Sequence, residues 1–321
     1  MSIAFRKTDA TRSDHRLSEF AEAVIAGLSS NPKTLPCRFF YDARGSDLFE
    51  EITRLPEYYP TRVETGILER GGAALIDDVA EGATLVEFGS GSSIKTEMLL
   101  RNGRISSYVP IDVSQSALAE AEARLRLLFP GLDIQPLVAD FTADIRLPPL
   151  ERGSQVVGFF PGSTIGNFTP GEARDLLRHM ARLLGPGSRL VIGVDLQKKR
   201  ETLVAAYDDS AGVTAAFNLN LLHRMRRELG ARVNVENFGH RAVYNETEHR
   251  IEMHLVSRET QAIEVAGESF SLAQGETIHT ENSCKYTPEG FADLAAGAGW
   301  RVRRVLTDDE RLFSVMLLEA D

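Results

Sequence analysis

The stretch 83-ATLVEFGSGSSIK-95 is a short apolar run that stops at Gly89 and Gly91 and then turns polar. A run of this length and composition is a strand, and 94-IKTEMLLRN-102 beyond it has helical spacing. Glycine at such a turn lets backbone N–H groups approach a ligand without a Cβ in the way. A glycine turn after a strand is commonplace on its own, so the flanking sequence has to say what it is for.

Outward from that turn the chain alternates between two periods. A second strand is 106-SSYVPIDVS-114, followed by the helix 116–129 and a stop at Pro130-Gly131. A third strand is 132-LDIQPLVADF-141 and a fourth 154-SQVVGFFPGST-164, whose helix 169–184 ends at Gly185-Pro186-Gly187. The fifth is 188-SRLVIGVDL-196. Strands separated by helices of this length predict an α/β fold with a parallel sheet and helices on both faces. From residue 231 to 286 the pattern becomes alternating and turn-punctuated, which predicts antiparallel strands. A helix, 288-PEGFADLAAGAG-299, and the strands 300-WRVRRVLTD-308 and 312-LFSVMLLEA-320 then complete a seven-stranded sheet whose last strand runs antiparallel. The expected organisation is one domain of 63–198 and 287–321, and a second α+β domain of 1–62 and 199–286.

The 321 residues are 43% hydrophobic and 26% charged, enough for a sizeable core. The net charge is −10, from 46 acidic and 36 basic side chains, and an acidic surface disfavours a phosphate-backbone partner. Two cysteines in a chain of this length suit a reducing compartment. No signal-peptide pattern and no apolar run of about 20 residues is present. The expectation is a cytoplasmic protein that engages neither membrane nor nucleic acid.

Ligand signals recur at the strand ends. Asp112 closes the second strand, where a carboxylate can accept both hydroxyls of a ribose. Asp140 and Phe141 close the third, an acid for an adenine amino group and a ring to cover the base. Neither a G-x-G-x-x-G pattern nor a P-loop ending is present, so S-adenosylmethionine is favoured over a dinucleotide or a nucleoside triphosphate. Lys95, in the first turn of the following helix, is placed to meet that cofactor's carboxylate.

Two long motifs, 39-FFYDARGSDLFEEITRLPEYYPTR-62 and 161-PGSTIGN-167, together with 206-AYDDSAGVTAAFN-218 and 275-GETIHTENSCKY-286, carry a resemblance. From about Leu17 to Asp321 the chain resembles the S-adenosylmethionine-dependent L-histidine Nα-methyltransferases that form hercynine for ergothioneine biosynthesis. The resemblance implies a class I, Rossmann-like methyltransferase domain with a second substrate-binding domain. It implies that Gly89, Lys95, Asp112, Asp140 and Phe141 hold the cofactor. Tyr58, Asn167 and Tyr207 would grip the histidine carboxylate, and Gly162, Thr164 and Tyr41 would lie near its α-amino group. Phe49 and Met253 would flank the imidazole, with Glu281 and Ser283 on its ring nitrogens. The pair in 57-EYYP-60 does not by itself choose between Tyr58 and Tyr59, and Met253 in 250-RIEMHL-255 reads first as core. The implied protein is a monomer acting on a small molecule.

Strand alternation puts Glu281 and Ser283 on one face, with Asn282 and Cys284 on the other. A neutral imidazole has one N–H and one acceptor nitrogen, which a carboxylate and a hydroxyl can serve. His279 and Cys284 fall on opposite faces with no second pair to complete a zinc shell, so no metal is expected, and no nucleophile or acid/base residue is assigned. Methylation of another amino acid such as tryptophan, or S-adenosylmethionine binding without catalysis, are the competing readings.

Overall fold

The computed structural model describes residues 9–91, 93–150 and 153–321, with side chains from Glu19 onward. These divide into two compact units. The first holds the chain up to Tyr58, Arg200–Asn245 and Ile251–Asn282; the second holds Tyr59–Lys199, Glu246–Arg250 and Ser283–Asp321.

The second unit is built on a mixed sheet. In spatial order its strands are Trp300–Thr307, Phe313–Ala320, Arg189–Asp195, Val156–Phe160, Ala83–Phe88, Ile105–Asp112 and Asp133–Ile134. Phe313–Ala320 runs antiparallel to both of its neighbours, while the strands from Arg189–Asp195 onward pair in parallel. That is the class I, Rossmann-like arrangement. All six residues of Ala83–Phe88 are buried, as expected of a strand covered on both faces. Val86, Phe88 and Ile192 join a core on one side, and Leu85, Tyr108 and Val191 join one on the other. The third strand of the sequence reading is broken into Asp133–Ile134 and Leu137–Val138, both pairing with Ile105–Asp112. Pro136 lies between them and has no N–H to continue the ladder. Helix Pro170–Leu184 starts at a Thr169–Glu172 capping box, which satisfies two otherwise orphaned amide groups.

The first unit has a four-stranded sheet in the order Lys33–Thr34, Thr277–Cys284, Arg250–Ser257, Phe238–Asn245. Arg250–Ser257 alternates half-buried and buried residues, with Ile251, Met253 and Leu255 inside. Helices Asp9–Ser29, Ala43–Ile52 and Val213–Leu229 belong to the same unit. Asp42 joins two of these helices. Its Oδ1 accepts from Gly45 N at 2.7 Å, capping Ala43–Ile52, and from Asn220 Nδ2 at 2.8 Å on Val213–Leu229. The hairpin Gln261–Val265/Glu268–Leu272 turns at Ala266 and Gly267, whose φ values of 51° and 83° are those of a type I′ turn. Among the described residues no helix is long and apolar enough to cross a membrane.

Candidate active site

In the second unit, three neighbouring strands end side by side. Gly89 follows Ala83–Phe88 with φ of +68°, and a Cβ there would stand 3.4 Å from the edge of Phe141, in a backbone conformation that L side chains rarely adopt. Gly91 N donates to Asp112 Oδ2 at 2.9 Å, and Ser114 N donates to Oδ1 at 2.8 Å. Asp112 is therefore anchored by backbone, while each oxygen keeps acceptor capacity for a diol. Asp140 Oδ1 accepts from Thr142 N and Oγ1 at 2.8 and 2.6 Å. The Phe141 ring stands edge-on to Phe88 and Phe160, with centroids 6.3 and 5.4 Å away. A cradle without Cβ atoms, an anchored carboxylate and an aromatic wall suit an adenosine-containing cofactor at the carboxyl ends of parallel strands.

Lys95 does not stand alone. Its ammonium pairs with Glu64, whose side chain is fully buried. Both Glu64 oxygens also accept from Gly162 N at 2.9 Å, and the carboxylate lies so close over Gly193 that a Cβ there would overlap Oε1 at 2.1 Å. Sequence reasoning missed Glu64; its one signal is an acid placed just beyond the 39–62 motif on helix Tyr59–Leu75. Behind the glycine turn, the buried Glu87 accepts from Thr96 Oγ1 at 2.6 Å and from the Tyr108 hydroxyl. Burial pushes its pKa up to about 7 against the pull of those donors.

The loop after Val156–Phe160 carries Gly162, with φ of +80°, and a short 3-10 turn, Thr164–Asn167. Thr164 Oγ1 donates to Pro161 O at 3.0 Å. Ser163 is left-handed too, at φ of 56°, and its Oγ accepts from Asp195 N at 2.9 Å. A Cβ on Gly166 would come within 2.9 Å of Cys284 O, so glycine is required for the loop to lie this close. Asp195, at the end of its strand, is the hub of a buried ionic cluster. It accepts from Tyr59 Oη at 2.7 Å, Lys198 Nζ at 2.5 Å and Lys285 Nζ at 2.7 Å. Burial alone would raise its pKa, but the two ammonium groups hold it below the usual carboxylate value. Burial lowers Lys198 to about 8, against the pull of Asp195. Sequence reasoning missed this cluster, because Tyr59, Asp195, Lys198 and Lys285 are scattered along the chain.

In the first unit, Tyr41, Phe49, Tyr58, Tyr207, Met253 and Glu281 line one pocket. The rings pack edge to face: Tyr41–Phe49 at 5.5 Å, Phe49–Tyr58 at 6.3 Å and Tyr58–Tyr207 at 6.1 Å between centroids. Phe217 lines the same pocket and lies 5.7 Å from Tyr41. It falls within the 206–218 stretch but received no role from sequence. Glu281 is the one charged side chain among these lining residues. Its carboxylate, after burial, helps push the Cys37 thiol up to about 12, and burial also raises Cys284. Neither cysteine is an activated thiolate.

The alternation expected of Thr277–Cys284 holds only as far as Thr280. Burial then runs half-buried at Glu281 and Asn282, buried at Ser283 and Cys284. Ser283 and Cys284 belong to the second unit. There Lys285 N donates to His249 O at 2.8 Å and Tyr286 N to Asp195 O at 3.1 Å. The ties that follow the strand thus cover both of its last residues: Cys284 Sγ donates to Phe168 O at 3.3 Å, and Ser283 Oγ accepts from Lys285 Nζ at 2.7 Å.

His279 has partners the sequence did not suggest. Its ring stacks on His254 at 4.9 Å, and with Glu252 they form a group of possible metal donors lying within 4.8 Å of one another. Nitrogens bound to one zinc stand roughly 3.4 Å apart with converging lone pairs. The two rings lie only 25° from parallel, so their in-plane lone pairs lie in nearly parallel planes. His279 Nε2 also meets Glu281 O at 2.9 Å.

Comparison with known proteins adds to this geometry. A sequence profile of the family described as "Histidine-specific methyltransferase, SAM-dependent" matches residues 20–320. The histidine N-alpha-methyltransferase of Mycolicibacterium smegmatis is 45% identical over 302 residues, covering 92% of each chain. That of Mycobacterium tuberculosis is 41% identical over 300 residues, again with 92% of each chain covered. The ergothioneine biosynthesis protein 1 of Neurospora crassa is 30% identical over 278 residues, which are 84% of this chain and 31% of its own length.

Proposed function

The chain belongs to the histidine-specific, S-adenosylmethionine-dependent methyltransferases, and from that premise we propose that it transfers three methyl groups to the α-amino nitrogen of L-histidine, giving hercynine for ergothioneine biosynthesis. It is an S-adenosylmethionine-dependent histidine Nα-methyltransferase; the extent of methylation, the pathway and the role of each residue are the proposal. One observation carries those roles. Tyr41, Phe49, Tyr58, Tyr207, Met253 and Glu281, drawn from separate stretches of the chain, line one aromatic pocket that holds a single charge.

When bound, S-adenosylmethionine supplies an electrophilic methyl group on a sulfonium. Gly89 and Asp112 fit the adenosine half through open backbone and an anchored acceptor, with Asp140 and Phe141 at the base, and Lys95 serves the amino-acid end. Tyr58, Tyr207 and Asn167 hold the histidine carboxylate through neutral donors, which avoids burying an unpaired cation. Tyr41, Gly162 and Thr164 position the amine, and Phe49 and Met253 flank the ring. Glu281 takes the ring N–H, and Ser283 the other nitrogen.

The amine must lose its proton before it can attack, since an ammonium has no lone pair. Once neutral it needs no covalent catalyst, no metal and no Ser–His or Cys–His constellation; alignment supplies the rate. A tryptophan side chain offers one N–H for Glu281 but no acceptor nitrogen for Ser283, so histidine is favoured over that rival. The protein works as a monomer in the cytoplasm, on a small molecule. The test mixes enzyme, L-histidine and S-adenosylmethionine and follows product mass. Successive mono-, di- and trimethylated histidine is expected; accumulation of the monomethyl product alone overturns the trimethylation, and no methylated histidine at all overturns the residue roles as well.

A further inference from the structure

Lys285 is buried to 0% side-chain exposure, an unusual place for an ammonium unless it is tied on several sides. Its Nζ donates to Asp195 Oδ2 and to Ser283 Oγ, each at 2.7 Å. Asp195 is clamped in turn by Tyr59 Oη and Lys198 Nζ, and its backbone N–H is held by Ser163 Oγ. The Lys285 backbone is fixed as well: its N–H donates to His249 O, and its carbonyl accepts from Gln197 Nε2 at 3.3 Å. Both ends of the side chain are therefore pinned beside Ser283.

An ammonium has donors and no acceptor, whereas a serine hydroxyl has one O–H and two lone pairs. A hydrogen bond from Lys285 consumes one Ser283 lone pair and bars the serine proton from pointing back at the lysine. It also polarises the O–H, making it a better donor. A hydroxyl held this way matches an unprotonated ring nitrogen. An imidazolium could use only the remaining lone pair, and that would set two cations on one oxygen, a repulsion the neutral ring avoids.

We propose that Lys285, clamped by Asp195, is a positioning residue that holds the Ser283 hydroxyl as a hydrogen-bond donor, so that the enzyme binds histidine as the neutral imidazole with its free lone pair on Ser283 and its N–H on Glu281. This rests on the reading of Ser283 as a ring-nitrogen contact. It gives the buried cation a reason to be there: without it, Ser283 can turn either way and reads nothing.

Two measurements test it. The first is the nitrogen NMR spectrum of ring-15N-labelled L-histidine bound to the wild-type protein with S-adenosylhomocysteine, which prevents turnover. One pyrrole-like and one pyridine-like resonance are expected at neutral pH; two protonated nitrogens overturn the proposal. The second is a kinetic cycle of Lys285→Met, Ser283→Ala and the double variant. Lys285→Met is expected to raise KM for histidine about tenfold with kcat within about threefold. In the Ser283→Ala background the same substitution should add less than about twofold, because its effect passes through the hydroxyl. Equal effects in both backgrounds mark Lys285 as merely structural and overturn the proposal. If Lys285→Met does not fold, Asp195→Asn replaces it in the cycle and is read by the same criterion. If the wild-type protein leaves histidine unmethylated, the functional reading fails first; if it methylates histidine and the cycle is additive, only the role of Lys285 fails.

Discussion

The strand-end cradle of the second unit and the aromatic pocket of the first, to which the proposal gives cofactor and substrate, are built by different means. Around Gly89, Asp112 and Asp140 the work is done by backbone: left-handed glycines, amide groups on a carboxylate, and strand ends brought side by side by a parallel ladder. Around Tyr41, Tyr58, Tyr207 and Glu281 it is done by side chains packed edge to face. A site of the first kind is as rigid as the sheet beneath it and recognises what many ligands share. A site of the second kind can be retuned one side chain at a time, which suits discrimination between amino acids.

The sharpest break in that contrast is Asp112→Ala. It removes the proposed ribose acceptor and releases Gly91 N, so affinity for S-adenosylmethionine should fall at least about 100-fold by calorimetry, while histidine binding changes little. Glu281→Ala tests the other side. The lost charge-assisted hydrogen bond should raise KM for histidine about 30-fold and leave cofactor affinity within about twofold; equal loss of both would merge the two sites. Glu87→Gln measures how firmly the glycine turn is underpinned. The folded pKa of about 7 lies above the ordinary 4.5, so the folded chain binds more protons within that window. Stability from this group is full below 4.5 and is lost as pH rises through about 7. The wild type should therefore lose about 2 kcal/mol between pH 5 and pH 8 that Glu87→Gln does not, read as denaturant midpoints. The smallest effect is expected of Cys284→Ser, which keeps a donor to Phe168 O; kcat should stay within about twofold.

The strand-end cradle was legible because its parts come in chain order. A strand that ends in glycine, one that ends in an acid and one that ends in an acid and an aromatic are read one after another, and parallel pairing places them together. The pocket was not legible in that way. Met253 sits in a buried alternation that reads as core, and Phe217 reads as one aromatic on a helix. Their shared pocket depends on contacts between segments far apart in sequence, and only the resemblance of the long motifs pointed to it. Glu64 and the Asp195 cluster escaped for a related reason: each charge looks solvated until a partner from another segment removes the water.

By itself the sequence determined the α/β architecture, the antiparallel last strand and the order of the glycine- and acid-bearing strand ends, because periodicity and turn chemistry are local and sheet pairing follows from them. Tertiary structure decided what surrounds the twelve residues of 275–286. Alternation alone would place Glu281 and Ser283 as equivalents on one face. The fold instead lines the aromatic pocket with Glu281 and sets Ser283 against a buried lysine, since that choice depends on which distant side chains close over the strand and not on the strand.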